Sequence, residues 1–212
     1  RGDAPRCHPD TRKAVKQSLI LWPDNLAAGP VRWIYGWAGT GKTTIAQTMA
    51  EYWAQEGRLV ASFFFSRSSE DTSTIHKFKE TIAHQLLQIL SFPDEVLHLF
   101  HREELSTRGW AAIVDALSSL PPQPPMIIIL DGLDECHNFN EVATLLRDIL
   151  GSAYQLQHSV KFLISCRPER PIEKSFDQFD PGNSYRIHLG QSEGDNDDLR
   201  TFLRVSFERI HQ

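Results

Sequence analysis

The chain has 212 residues, of which 41% are hydrophobic and 23% charged, and its formal net charge is -5. This composition is typical of a globular protein with a core of its own, and it lacks the basic excess of a nucleic-acid binder. No apolar run approaches the length of a membrane span, so we expect neither a nucleic-acid partner nor a membrane.

Apolar periodicity and turn residues predict helices that alternate with strands. After an N-terminal loop at 5–10, Thr11 is a suitable N-cap for the first helix. In chain order, the predicted elements are helix 12–22, strand 31–35, helix 42–55, strand 58–65, helices 73–90, 93–105 and 110–120, strand 126–130, helix 139–154, strands 160–166 and 185–189, and helix 197–210. This alternation predicts an α/β fold whose parallel sheet is covered on both faces.

Residues 36–43 read Gly-Trp-Ala-Gly-Thr-Gly-Lys-Thr and match the phosphate-binding pattern G-x-x-x-x-G-K-[ST] in full. The predicted strand before this loop and the predicted helix after it supply the context that the pattern requires. Backbone amides of the loop would bind phosphates, Lys42 would reach the β- and γ-phosphates, and the Thr43 hydroxyl would ligate Mg²⁺. The predicted nucleotide-binding residues are Gly36, Ala38, Gly39, Thr40, Gly41, Lys42, Thr43 and Thr44.

A second motif follows the apolar strand 126–130 and reads Asp131-Gly132-Leu133-Asp134-Glu135. Asp131 stands where the strand Asp of P-loop NTPases holds Mg²⁺, and we expect it to do so through a bound water. In many hydrolytic enzymes of this class the acid that polarises the attacking water comes next, but here that position is Gly132. Either Asp134 or Glu135 could act from the following turn; alternatively, this acidic pair caps the next helix.

Arg167 directly follows the predicted strand 160–166 and precedes Pro168. A guanidinium at this strand end could sense a γ-phosphate through its fixed fork of donors. The position alone is equally consistent with a surface arginine before a loop proline. Arg67, just after the second strand, is a further candidate, as an arginine finger that acts in trans.

Together, the motifs at 36–43, 127–135 and 162–168 resemble the NACHT domains of the STAND class of P-loop NTPases. The segments 7–12, 61–67 and 133–136 look like the nephrocystin 3-like N-terminal variety, which is abundant in NOD-like receptor proteins of fungi. The resemblance implies a three-layer fold with a mostly parallel five-stranded sheet in the order 5-1-4-3-2. It also implies a switch in signalling and innate immunity that binds ATP, ADP or GTP with Mg²⁺, self-associates and hydrolyses slowly. In such a switch Arg167 would be the sensor arginine, and Thr11 and Arg12 would lie beside the base and ribose.

We expect residues 1–30 to form a loop and helix near the nucleotide base, and residues 31–212 to form the NTPase core. The chain begins at Arg1 without an apolar signal segment and has three cysteines. We therefore interpret it as a fragment of a longer cytoplasmic protein. The resemblance implies that this protein carries other signalling domains. Two alternatives remain, a nucleotide-binding scaffold without turnover, which Gly132 favours, and a small-molecule kinase, for which only Arg167 and Arg170 could serve in a lid.

Overall fold

The computed structural model describes residues 5–25, 27–156, 159–179 and 185–190. Its helices are α1 (Lys13–Leu21), α2 (Lys42–Gln55), α3 (Ile75–Ile89), α4 (Arg102–Thr107), α5 (Trp110–Ser118), α6 (Phe139–Ala153) and α7 (Arg170–Phe179). Short 3-10 helices occur at Glu70–Thr72, Asp94–Phe100 and Leu133–Glu135. The strands are β1 (Val31–Tyr35), β2 (Leu59–Phe64), β3 (Met126–Asp131), β4 (Val160–Cys166) and β5 (Arg186–His188).

The five strands form one parallel sheet in the order β2-β3-β4-β1-β5. This is the predicted order 5-1-4-3-2 counted from the opposite edge, and the predicted fold class is therefore confirmed. The register pairs Asp131 with Ser165 and Tyr35 with Cys166. As a result β1, β3 and β4 all end at one level, and the residues that follow them meet at the carboxyl edge of the sheet, where ligands bind in open α/β folds.

Helices cover both faces of the sheet, which gives the protein two hydrophobic cores. Along β3, Ile127 and Ile129 join the core that contains α1 and α2. The alternate residues Ile128 and Leu130 join the larger core with α3, α5, α6 and α7. Every residue of β3 and β4 is buried, which explains why apolar residues face both sides of these strands instead of alternating with polar ones.

Three predicted details are wrong for local reasons. The helix expected at 93–105 is a 3-10 helix followed by α4, because His101 between them is extended, with ψ 146°. The sequence predicts no helix or strand at 170–179, yet this segment forms α7. Pro171 is tolerated there because it lies in the first helical turn. Thr11 does not cap α1, since its hydroxyl donates to the His8 carbonyl instead.

The predicted helix at 197–210 lies outside the described residues. Of the helices within the described ranges, none combines the length and apolarity needed to cross a bilayer.

Candidate nucleotide-binding site

A cleft of about 270 Å³ opens at the carboxyl edge of the sheet, where β1, β3 and β4 end. Its lining comes from all three sequence motifs, which lie far apart in the chain: Ala38, Gly39, Gly41, Lys42, Thr43, Thr44, Asp131, Gly132, Asp134, Glu135 and Arg167. The structure thus brings together ten of the predicted site residues and adds Gly132. Gly36 and Thr40 belong to the same loop without lining the cleft.

The loop at 36–43 takes a conformation that requires its glycines. Gly39 and Gly41 have positive φ values of 78° and 88°, which side chains rarely adopt. A Cβ on Gly36 would lie 2.6 Å from the backbone oxygen of Leu189, so the end of β5 packs directly against the start of the loop. The 14-residue helix α2 begins right after Gly41. Its free N-terminal amides therefore face the cleft as an anion-binding end.

Lys42 carries its amine back over the loop. Nζ donates hydrogen bonds to the carbonyl oxygens of Gly36, at 2.8 Å, and Trp37, at 2.9 Å. Burial lowers the pKa of Lys42, and the nearby Asp134 carboxylate acts in the opposite direction. The ammonium is thus partly withdrawn from water at the mouth of the loop, where its attraction for phosphate is weakly screened.

Asp131 and Thr43 bring two hard oxygen donors together. Asp131 is only 3% exposed and accepts a hydrogen bond from the Ser165 hydroxyl. Burial raises the pKa of Asp131, whereas hydrogen bonds with Ser165 and Thr43 lower it. A carboxylate beside a hydroxyl suits Mg²⁺, which prefers oxygen ligands and keeps several waters. These residues therefore fit the ion that the sequence predicts.

Gly132 shapes the turn after Asp131. It has a φ of 73°, and a Cβ there would lie 3.0 Å from the backbone oxygen of Phe65, so the close approach of β2 and the backbone angle both favour glycine. The acidic residues that follow do not cap α6. Its N-cap is Asn138, whose side-chain oxygen accepts from the amides of Asn140 and Glu141.

Asp134 and Glu135 have different environments although they are adjacent. Asp134 is 3% exposed; its Oδ1 accepts from the Arg167 amide at 2.9 Å, and its Oδ2 lies 3.2 Å from Arg167 Nε. Glu135 is half-buried, and its Oε2 accepts from the Arg67 amide at 3.2 Å. The Arg67 guanidinium donates to the Asp134 carbonyl at 2.5 Å. Arg67 therefore binds the acidic turn of its own chain.

Thr11 and Arg12 do not line the cleft. Thr11 is buried in a turn with His8. Among the residues that the structure describes, Arg12 is the only one other than glycine with a positive φ, of 54°. Its guanidinium donates to the Thr40 carbonyl at 3.1 Å, so the N-terminal segment contacts the phosphate-binding loop from outside the cleft.

Sequence reasoning missed Ser165, whose hydroxyl donates to the Asp131 carboxylate. Its signal is a polar residue that follows the apolar run 162–164 near the end of β4. The partner of Ser165 could not be predicted, because the register that pairs it with Asp131 is not visible in the sequence.

A family model described as nephrocystin 3, N-terminal, matches residues 15–167. No curated protein matches the chain. Similar solved structures include Orc1 of Aeropyrum pernix in complex with DNA, with a TM-score of 0.55 and 20% identity over 97% of this chain. A Walker-type ATPase of Pyrococcus abyssi has a TM-score of 0.62 and 13% identity over 98% of this chain. Cdc6p of Pyrobaculum aerophilum has a TM-score of 0.50 and 18% identity over 94%.

The chain spans 51%, 61% and 50% of these three structures, respectively. At such low identities the likeness concerns the fold, which is that of P-loop ATPases.

Proposed function

Because this chain belongs to the nephrocystin 3 N-terminal family, as its motifs predicted, we propose that it is the nucleotide-binding module of a signalling switch. The module binds ATP or GTP with Mg²⁺, hydrolyses the nucleotide slowly and controls self-association. The observation that carries this proposal is the convergence of three distant motifs on one cleft, which begins with a complete phosphate-binding loop.

In this proposal each group of the cleft has a role that its chemistry supports. The amides at 38–44 and the end of α2 bind phosphate oxygens, and Lys42 adds a positive charge at the β- and γ-phosphates. Thr43 ligates Mg²⁺ and Asp131 holds it through water; the ion, when bound, neutralises charge on the phosphate oxygens. Arg167, which also lines the cleft, recognises the γ-phosphate.

The second candidate is a nucleotide-binding scaffold without turnover. Gly132 occupies the place of a catalytic acid, and both oxygens of Asp134 are engaged by Arg167. Glu135 is then the remaining candidate to polarise water. Single-turnover hydrolysis separates the two functions: a wild-type rate above the buffer blank that falls in Glu135→Gln supports the NTPase, and a rate equal to the blank supports the scaffold.

The family resemblance supplies the wider proposal. We propose that residues 1–30 pack near the nucleotide base, with Thr11 and Arg12 beside the base and ribose. Residues 31–212 form the NTPase core. In this proposal the chain is part of a cytoplasmic NOD-like receptor of the STAND class in a fungus, where further domains sense a ligand in innate immunity. The hydrogen bond from Arg12 to the Thr40 carbonyl supports a place for the N-terminal segment beside the nucleotide.

Calorimetric titration with Mg²⁺ and either ATP or GTP tests the proposal. We expect Lys42→Ala to weaken nucleotide binding by roughly 100-fold, because a partly desolvated charge pair with phosphate is lost. Lys174→Ala is the matched control, since Lys174 is exposed on α7. Equal affinities of wild type and Lys42→Ala would contradict the proposed site.

A further inference from the structure

The ion pair between Asp134 and Arg167 joins a fixed group to a movable one. The Asp134 side chain is 4% exposed, whereas that of Arg167 is 44% exposed. Asp134 lies in the 3-10 turn Leu133–Glu135. Gly132 fixes the start of this turn, and the Asp134 carbonyl accepts a hydrogen bond from Arg67. The guanidinium, on a long side chain at the rim of the cleft, can leave this pair, while the carboxylate cannot follow it.

The same guanidinium faces the phosphate site. Arg167 and Asp134 both line the cleft with Lys42. Their charges reach the Lys42 ammonium: Asp134 raises the pKa of Lys42, and Arg167 lowers it. A γ-phosphate bound on the loop would therefore meet an arginine that is already paired. A nucleoside diphosphate offers no γ-phosphate and leaves the pair intact.

We propose that Asp134 is a positioning residue that competes with the terminal phosphate of a nucleoside triphosphate for Arg167, and thereby sets the preference of the site between diphosphate and triphosphate. This inference rests on the proposed nucleotide-binding function. Moving Arg167 to the γ-phosphate leaves a buried carboxylate without its guanidinium, which carries a large desolvation cost. That cost reduces the affinity for triphosphate and not the affinity for diphosphate, so the competition favours the diphosphate-bound form.

The contacts of Arg67 give it a part in the same device. Its guanidinium donates to the Asp134 carbonyl and its amide donates to Glu135. Arg67 thus ties the end of β2 to the acidic turn and keeps Asp134 under Arg167. This is a role within the chain; the finger in trans stays a prediction.

The test measures affinities of the whole chain for ADP and for a non-hydrolysable ATP analogue, both with Mg²⁺, in wild type, Asp134→Asn, Arg167→Ala and the double variant. Asparagine keeps the size of Asp134 and an acceptor for the Arg167 amide, but it removes the charge that holds the guanidinium. We expect Asp134→Asn to raise the ratio of triphosphate to diphosphate affinity by about tenfold, a typical coupling between sites. The increase should disappear when Arg167→Ala is added.

Asp148→Asn is the matched control, because Asp148 is exposed on α6 and lines a different groove. An unchanged ratio in Asp134→Asn, with both nucleotides still bound, would overturn the competition and leave the nucleotide-binding function intact. Failure of wild type to bind either nucleotide would overturn both.

A second measurement needs no Asp134 variant. The NMR signal of the Arg167 Nε–H, assigned by its loss in Arg167→Lys, should stay in place when ADP binds and shift when the ATP analogue binds. The same position in both complexes would show that Arg167 does not change partner.

Discussion

Asp131 illustrates the conflict between binding and stability at a single residue. In the proposed function its carboxylate is needed near Mg²⁺. Without ligand the charge is buried, and the hydroxyls of Ser165 and Thr43 together with the Lys42 charge offset only part of the cost of burial. Burial disfavours the ionised form, as the raised pKa of Asp131 shows. A site prepared for a cation thus lowers the stability of the protein that lacks the cation.

We therefore expect Asp131→Asn to stabilise the ligand-free protein while it abolishes the Mg²⁺ dependence of nucleotide binding. The amide oxygen can still accept from Ser165, and the buried charge is gone. A gain of about 1 kcal/mol corresponds to a rise of about 2–4 °C in the melting temperature of a chain of this size. Thermal unfolding without and with Mg²⁺-nucleotide measures both effects, with Asp148→Asn as control. An equal or lower melting temperature without ligand would contradict the argument.

The sequence identified the residue types of the site but could not divide their roles. The loop at 36–43 and Asp131 follow from motif spacing, because each must stand at the end of a strand. Asp134 and Glu135 are neighbours of the same charge, and no pattern separates them. The strand register places Arg167 over the turn. Asp134 therefore pairs with Arg167, whereas Glu135 lies beside the Arg67 amide.

At the scale of elements, β2 is one of the two edge strands of the sheet in the described part of the chain, and β5 is the other. Gln85 of α3 takes the place of a neighbouring strand at β2. Its Oε1 accepts from the Ser62 amide at 2.7 Å, and its Nε2 donates to the Ser62 carbonyl at 3.0 Å. A side-chain amide that satisfies both backbone groups protects an edge that could otherwise pair with another chain.

We expect Gln85→Leu to lower stability by about 1–2 kcal/mol, because two backbone groups at a partly buried edge lose their partner. It should also raise the fraction of oligomers formed by pairing of strands. Gln88→Leu is the matched control. Gln88 is exposed on α3, three residues after Gln85, so this variant adds the same apolar side chain without touching β2. Light scattering after size exclusion, with thermal unfolding, compares the two. Equal behaviour of the two variants would remove the protective role.

The periodicity of apolar residues predicts the element type correctly where an element, or one face of it, is buried along its whole length. The two completely buried strands β3 and β4 and the amphipathic helices α3 and α6 lie where the pattern predicts them. The errors arose where local geometry decides. The extended His101 divides a helix that apolar spacing alone joins, and α7 begins beside a proline that signals a break.

At the scale of the whole molecule, the fold leaves the partner undetermined. The Orc1 structure similar to this chain is a complex with DNA, and a shared fold at 20% identity carries no function with it. Charge is the more direct guide, because binding to DNA is driven largely by neutralisation of phosphates. The chain has 22 Lys and Arg against 27 Asp and Glu. Three acidic residues, Asp131, Asp134 and Glu135, also line the cleft beside Lys42 and Arg167.

We therefore expect this chain not to bind duplex DNA measurably at 150 mM salt, with any dissociation constant weaker than about 10⁻⁴ M, the upper end of non-specific binding. Fluorescence anisotropy of a labelled duplex, with and without Mg²⁺-ATP, measures this, and a basic DNA-binding protein serves as positive control. Binding that is micromolar or tighter and weakens with salt would reveal a basic surface that the net charge conceals. A nucleotide-dependent gain in DNA affinity would further favour a DNA-binding function, as in the Orc1 complex, over that of a signalling switch.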